Sequence, residues 1–287
     1  MQRSAYEYFG AMVESYDSLI RRAVPRYAEM TDRLMEYLLA GTSPGNAAGP
    51  ATGGGEAASG GNAELGGRKN AAGAGRGGAC DGTAEMGGGE KAGLGGVRGP
   101  RAILELGCGT GNLTIRLAER FPGARITFVD ASEEMVSLTG ARLAERGNER
   151  SRVEPTVGRF EELQLGAASF DAVTSCISLH HVRDKPALFR AIRGWLAPGG
   201  LLAFADQMAG ATEENHRVNW EGWLQYCREP GNCTEEEIAS LVAHAAAHDH
   251  YESVGAHFDA MRLAGFEAGG IDCVWRNLMW AIVTARA

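Results

Sequence analysis

Three glycines at alternate positions, Gly107, Gly109 and Gly111, close an apolar run that begins at Ile103 and lead into a segment of helical periodicity. Glycine at such a break lets the backbone turn tightly and approach a ligand without a Cβ in the way. Asp130 ends the next apolar run, Arg125–Val129. A carboxylate there can accept hydrogen bonds from both hydroxyls of a ribose, a feature shared by several adenosine-bearing cofactors. Asp130 could also cap the following helix, although Ser132 can serve as that cap itself. His180, His181 and Asp206 end two later apolar runs and are the candidates for a general base. Successive strand residues point to opposite faces, so one of the two histidines is expected to reach a cleft.

Other reactive side chains carry blander readings. His244 and His248 stand four apart on a predicted helix, with His250 and His257 beyond, but no carboxylate-rich or cysteine-rich set accompanies them in the sequence and no metal site is expected. Trp220, Trp223, Tyr226 and Cys227 could wall an acceptor pocket, yet aromatics three apart on a helix more often face a core. The six cysteines include no C-x-x-C pair, which fits neither a disulfide framework nor a zinc knuckle and points to a reducing, cytoplasmic setting. Cys227 and Cys233 are the nearest pair in sequence, and thiolates bind soft elements such as arsenic.

The elements that must position these groups follow from periodicity. Buried strands are predicted at Ala102–Leu106, Arg125–Val129, Val153–Val157, Phe170–Ser175 and Leu201–Ala205, with helical patterns such as Leu113/Leu117 and Leu188/Ile192/Trp195 between them. Strands apolar on both faces and alternating with helices imply a doubly wound α/β sheet that binds its ligand at the strands' carboxyl ends. A helical excursion is expected at about 212–248, another helix at 251–264, and a closing antiparallel pair at Phe266–Val274 and Leu278–Thr284. Residues 1–40 read as two helices, the second with Pro25 in its first turn.

Residues 41–100 hold more than half of the chain's 41 glycines. With little apolar surface to offset the entropy of ordering them, this stretch reads as a disordered insertion between the helices and a domain spanning 101–287. The net charge of −8 gives no general attraction to phosphate backbones, which weighs against nucleic acid as a partner. No stretch approaches the roughly 20 apolar residues that span a bilayer, so neither secretion nor a membrane anchor is expected.

Taken in order, Glu105-Leu-Gly-Cys-Gly-Thr-Gly111, the strand-end Asp130, Phe170-Asp-Ala-Val173 leading to Leu179-His-His181, and Leu196-Ala-Pro-Gly-Gly200 resemble the class I S-adenosylmethionine (SAM)-dependent methyltransferases. Dinucleotide dehydrogenases usually carry G-x-G-x-x-G instead. The resemblance covers residues 101–205, and Ala23-Val-Pro-Arg-Tyr27 with Ala264-Gly-Phe266 look like the branch containing carboxy-SAM synthase. It implies a Rossmann-like seven-stranded sheet with an antiparallel C-terminal strand, a helical N-terminal extension covering the cofactor, SAM as cofactor and methyl transfer; with the acidic charge it favours a small-molecule acceptor, and the sequence leaves the oligomeric state open, a homodimer included. It also implies that Gly107, Cys108 and Gly109 face the methionine part, Asp130 and Ala131 the ribose, and Arg159 with Phe160 the adenine, with Cys176 on the bordering strand end and Tyr27 folded over. Glu105, Gly111 and Met135 belong to the same implied set.

Two departures stand out. Many relatives have an Asp where this chain has Arg159, and the arginine that holds the extra carboxylate in carboxy-SAM synthase is replaced, on the helix after the excursion, by Val242. Methyl transfer therefore ranks above a carboxy-SAM synthase-like or tRNA-modifying activity and above a non-catalytic SAM-binding role.

Overall fold

The computed structural model describes residues 13–41, 99–147 and 152–287. The expectations for residues 1–12 and for the glycine-rich stretch 42–98 lie outside them. Two N-terminal helices, α1 (Val13–Ala23) and α2 (Tyr27–Gly41), precede the alternating part of the chain: β1 (Ala102–Leu106), α3 (Asn112–Arg120), β2 (Arg125–Asp130), α4 (Glu133–Glu145), β3 (Arg152–Val157), β4 (Phe170–Cys176), α5 (Lys185–Trp195) and β5 (Leu196–Gln207). Three helices follow, α6 (Glu213–Cys227), α7 (Glu235–His248) and α8 (Val254–Leu263), and then the strands β6 (Ile271–Asn277) and β7 (Trp280–Arg286).

The seven strands form one sheet in the order β3-β2-β1-β4-β5-β7-β6. β1 to β5 are parallel, and β7 runs antiparallel to both β5 and β6. The order reverses at β1, whose neighbours are β2 on one side and β4 on the other, and a crevice opens at such a switch point. Alternate strand residues feed two apolar layers. Ile103, Phe128, Ala203 and Ile282 join Met30, Leu34, Leu38 and Leu117 on one face. Leu104, Val129, Leu202 and Val283 join Leu188, Phe189, Ile192 and Met261 on the other. Burial on both faces is why these strands read as continuous hydrophobic runs.

Several boundaries differ from the sequence reading, three of them with a clear local cause. Pro25 lies in the turn between α1 and α2, two residues ahead of the helix, where Arg26 has a positive φ of 58°. β6 begins at Ile271, because residues Ala268–Gly270 form a short 3₁₀ turn and Phe266 packs into the core. β5 starts at Leu196, which pairs with Phe170 across an irregularity before the regular ladder resumes at Ala172 and Leu201.

The helical additions are pinned to one another. Trp223 Nε1 donates to Ala23 O at 2.9 Å, and Trp223 stacks edge-on against Trp220 and Trp280. Arg22 makes a two-pronged ion pair with Glu237, at 2.7 and 3.0 Å, so α1 is tied to the start of α7. Glu237 also closes a capping box with Thr234. Arg22, followed by the Thr234 amide, pulls the Glu237 carboxyl down to about 2 from the usual 4.5. A carboxylate with a lowered native pKa stabilises the fold above its unfolded value and loses that contribution as pH falls toward the native one. With both side chains about one-third exposed, screening reduces the effect to about 1–2 kcal/mol. Urea unfolding at neutral pH should therefore show wild type more stable than Glu237→Gln by that amount, with the gap closing between pH 4.5 and 2; a constant gap would contradict the assignment.

Candidate functional site

The loop after β1 turns through three left-handed glycines, with φ of 77° at Gly107, 50° at Gly109 and 87° at Gly111. Gly111 precedes α3 as its cap residue, and a Cβ there would meet Thr139 at 2.9 Å. Asp130 braces the loop. Its two oxygens accept from Gly109 N at 2.9 Å and Ser132 N at 3.0 Å, so one carboxylate joins the turns after β1 and β2. Burial raises its pKa, countered in part by the amides of Ser132, Gly109 and Ala131. Ser132, not Asp130, caps α4 by accepting from Met135 N at 3.3 Å.

A cleft opens above these turns. Its floor is Glu105, Gly107, Cys108, Gly109 and Thr110; one wall is Asp130, Ala131, Ser132 and Met135; the other is Cys176, Ile177, Ser178 and His181. Arg159, Phe160 and Glu161 border it beyond β3, and Tyr16, Ile20 and Tyr27 of the N-terminal helices cover it. Of the positions the sequence singled out for the cofactor, all but Gly111 line this cleft. Gly111 supports the loop from behind, against Thr139.

Sequence reasoning missed how the cover is held. Asp17 on α1 accepts from Asn112 Nδ2 at 2.9 Å and from the Thr110 hydroxyl, and pairs with Arg142 at 2.7 Å. Arg142 also donates to Thr110 O at 2.6 Å. Tyr16 and Ile20, four apart on α1, also line the cleft. Ile177, a β-branched residue with φ of 58°, lies in the wall, an unfavourable backbone for its type. Its amide donates to Ala205 O at 2.7 Å, which fixes the turn that exposes Ser178.

Glu105 is 1 % exposed, and among the described residues its Oε2 has no hydrogen-bond partner. Burial, with a smaller contribution from the like charge of Asp130, pushes its pKa up to about 8. A neutral carboxyl facing the cleft floor is therefore poised to ionise beside a cation. Burial likewise raises the thiols of Cys108 and Cys176, so both stay protonated in the cleft.

The three proton-transfer candidates separate. Residues Leu179–His181 form a 3₁₀ turn rather than a strand continuation, and this turn directs His181 into the cleft while burying His180. His180 Nδ1 lies 2.5 Å from Asp206 Oδ1, and Asp206 Oδ2 accepts from His180 N at 2.9 Å. Asp206 is 1 % exposed at the end of β5 and, like His180, is absent from the cleft lining. Burial raises the Asp206 pKa, but His180 outweighs it, so the carboxyl titrates lower than usual. The histidines from the excursion also part company. His257 is buried against Phe189 and Phe204, whereas His244 turns toward Asp249 near His181. Trp223 and Cys227 are buried in the core, and neither they nor Trp220, Tyr226 or Val242 lines the cleft. No disulfide joins the described cysteines. Among the described residues, no helix is long and apolar enough to cross a membrane.

Residues 103–200 match the family described as methyltransferase domain. Trans-aconitate 2-methyltransferase of Mycolicibacterium gilvum is 42% identical over 108 residues, 38% of this chain and 38% of that protein. Phosphoethanolamine N-methyltransferase 1 of Triticum aestivum is 30% identical over 145 residues, 50% of this chain and 24% of that protein. The chain thus spans between about a quarter and two-fifths of the length of these curated relatives. A solved SAM-dependent methyltransferase from Mesorhizobium loti, 22% identical, covers 65% of this chain and 90% of its own with a TM-score of 0.47. The glycine loop and strand-end Asp130 lie inside this methyltransferase-domain match, and the match and these relatives support the class I SAM-dependent methyltransferase superfamily with SAM as the cofactor.

Proposed function

We propose that the chain transfers the methyl group of SAM to a small-molecule acceptor. The observation that carries this reading is the covered cleft: α1 and α2 close over the glycine loop, so an acceptor must be small enough to reach the methyl group beneath Tyr16 and Tyr27. Relatives named for trans-aconitate and phosphoethanolamine act on acceptors of that size. Bound SAM supplies a methyl group on a sulfonium, already activated for in-line displacement. What the chain must provide is alignment, which can be worth up to about 7–11 kcal/mol.

The residues suit that task. Asp130 would hold the ribose diol with the lone pairs left over from bracing the loop. Glu105 offers a buried carboxyl to the amino-acid end, and Phe160 a flat apolar face to the adenine. Arg159 is engaged with Glu161 and Glu162, at 3.9 and 4.0 Å. Of His180, His181 and Asp206, His181 is the one that lines the cleft, which supports it as the group that would touch an acceptor.

Calorimetric titration with SAM, S-adenosylhomocysteine and NAD tests the reading. Both adenosyl ligands should bind and NAD should not. Asp130→Ala, which removes a charged acceptor of about 1.5–3 kcal/mol per hydrogen bond, should weaken binding at least 30-fold while unfolding cooperatively. Binding of NAD alone, or equal SAM affinity in the variant, would overturn it. A screen for S-adenosylhomocysteine release against carboxylate, amine and thiol acceptors then identifies the acceptor class.

A further inference from the structure

Behind the cleft wall lies a second polar cluster, joined to the cleft through His181. One ligating atom from each of His180, His181 and Asp249 falls within 4.8 Å of the others. Asp249 Oδ1 stands 3.2 Å from His181 Nδ1, 3.6 Å from His244 Nε2 and 3.7 Å from His180 Nε2. Side chains other than that of His181, which is 25% exposed, are almost wholly buried. We propose that His180, His181 and Asp249, with His244 beside them, bind one divalent transition-metal ion of the zinc class at the edge of the cleft.

Spacing carries the argument. Separations of 3.6 and 3.7 Å are too long for hydrogen bonds. Donor atoms bound at ~2.0–2.1 Å in a tetrahedron, however, sit roughly 3.3 Å apart, inside the range these atoms span. Imidazole nitrogens with one carboxylate oxygen are the donor set that zinc and its neighbours prefer.

Outer groups are also those of a metal site. His180 directs Nδ1 to the buried Asp206 at 2.5 Å, leaving Nε2 toward Asp249. Metal-bound histidines characteristically give their second nitrogen to a carboxylate, which fixes the ring. Tyr251 donates to Asp249 Oδ2 at 2.5 Å, leaving Oδ1 toward the imidazoles.

Charge leaves room for the ion. Lys185 is fully buried, donates to Val182 O and to His250 O at 3.2 Å, and supplies one positive charge against the two carboxylates Asp206 and Asp249. A proton on His180 could supply the other, but it would not account for three imidazoles gathered on one carboxylate oxygen. Of the four residues His181 alone lines the cleft, so the ion would sit between its ring and the buried groups behind the cleft wall.

The test uses the full chain stripped with a chelator and titrated with Zn²⁺ by calorimetry. One ion should bind per chain. Asp249→Asn should weaken it at least 100-fold, and Asp206→Asn should weaken it about 10- to 100-fold at unchanged stoichiometry. Should a variant fail to fold, Co²⁺ added to the wild type decides: the intense visible absorption of low-coordinate cobalt is expected, shifted by His244→Ala. No Zn²⁺ binding by folded wild type, undiminished affinity in Asp249→Asn, or the weak spectrum of aqueous cobalt would each overturn the proposal. All of these readouts are independent of SAM binding, so failure here is distinguishable from failure of the methyltransferase reading.

Discussion

Glu105→Gln is expected to stabilise the SAM-free protein at neutral pH, although it alters a fully buried residue of the glycine-loop strand. The native carboxyl titrates near 8 against 4.5 when unfolded. Below the lower value both states hold the proton and there is no cost. Between the two, the unfolded chain releases its proton while the native state keeps it, so stability falls as pH rises by about 1.4 kcal/mol per unit. The loss totals about 4–5 kcal/mol at the native pKa and then levels off. Glutamine removes the slope and should be more stable than wild type by about 3 kcal/mol at neutral pH, a gap that vanishes toward pH 4.5. Urea unfolding of both proteins across this range without SAM measures it, and parallel curves would refute it. With SAM present the order reverses in binding: the cationic end of the ligand favours an ionised Glu105, so the variant should bind about 10-fold more weakly, a difference of about 1.4 kcal/mol.

Gly107→Ala should be the most damaging methyl addition in the loop, and Gly109→Ala one of the mildest. At Gly107 an added Cβ would fall 2.0 Å from Ser178 Oγ and 2.5 Å from Ser178 Cβ. Ser178 cannot simply swing away, because its hydroxyl lies 3.1 Å from both Leu106 O and Ser175 Oγ. The left-handed backbone adds about 1–2 kcal/mol to about 1–3 kcal/mol of overpacking, for a total of roughly 2–5 kcal/mol. Relieving the clash moves the loop away from Asp130, so SAM affinity should fall at least 100-fold. At Gly109 nothing lies within 4 Å of the added carbon, leaving a backbone cost of about 1 kcal/mol. Thermal melts and SAM titration of the two variants separate them; equal destabilisation would mean that Ser178 does not constrain the turn.

The strands and their loop were legible in the sequence because their signals are local. Ile103–Leu106 and Phe170–Val173 are runs that only a doubly covered sheet accommodates, and three alternating glycines at the end of one of them mark where backbone must meet ligand. Phe266–Val274 was misplaced because the apolar residues flank Gly269 and Gly270, which break the ladder into a turn before β6. The cover over the cleft was half legible: Tyr27 could be assigned by resemblance, but Asp17 meets Thr110 and Asn112 across more than ninety positions of sequence, and nothing local announces that contact. The histidine cluster was hidden for the same reason. His180 and His181 come from the turn after β4, His244 from α7, and Asp249 from the residue that ends α7. In sequence His244 had no carboxylate company beyond a nearby aspartate at a helix end, and only the fold turns that aspartate toward the β4 turn.

The end of α2 and the approach to β1 meet at one place: a Cβ on Gly99 would lie 3.8 Å from Leu39 Cδ1 and within 3 Å of the Phe121 ring. The sheet therefore experiences the chain between residues 41 and 99 through two neighbouring attachment points. Closure entropy grows only with the logarithm of the length between such points, about 0.6 kcal/mol for each doubling. That makes this junction a natural port, where a tether, a fluorescent reporter or a second domain would be joined to the sheet at a closure cost that depends only weakly on its length.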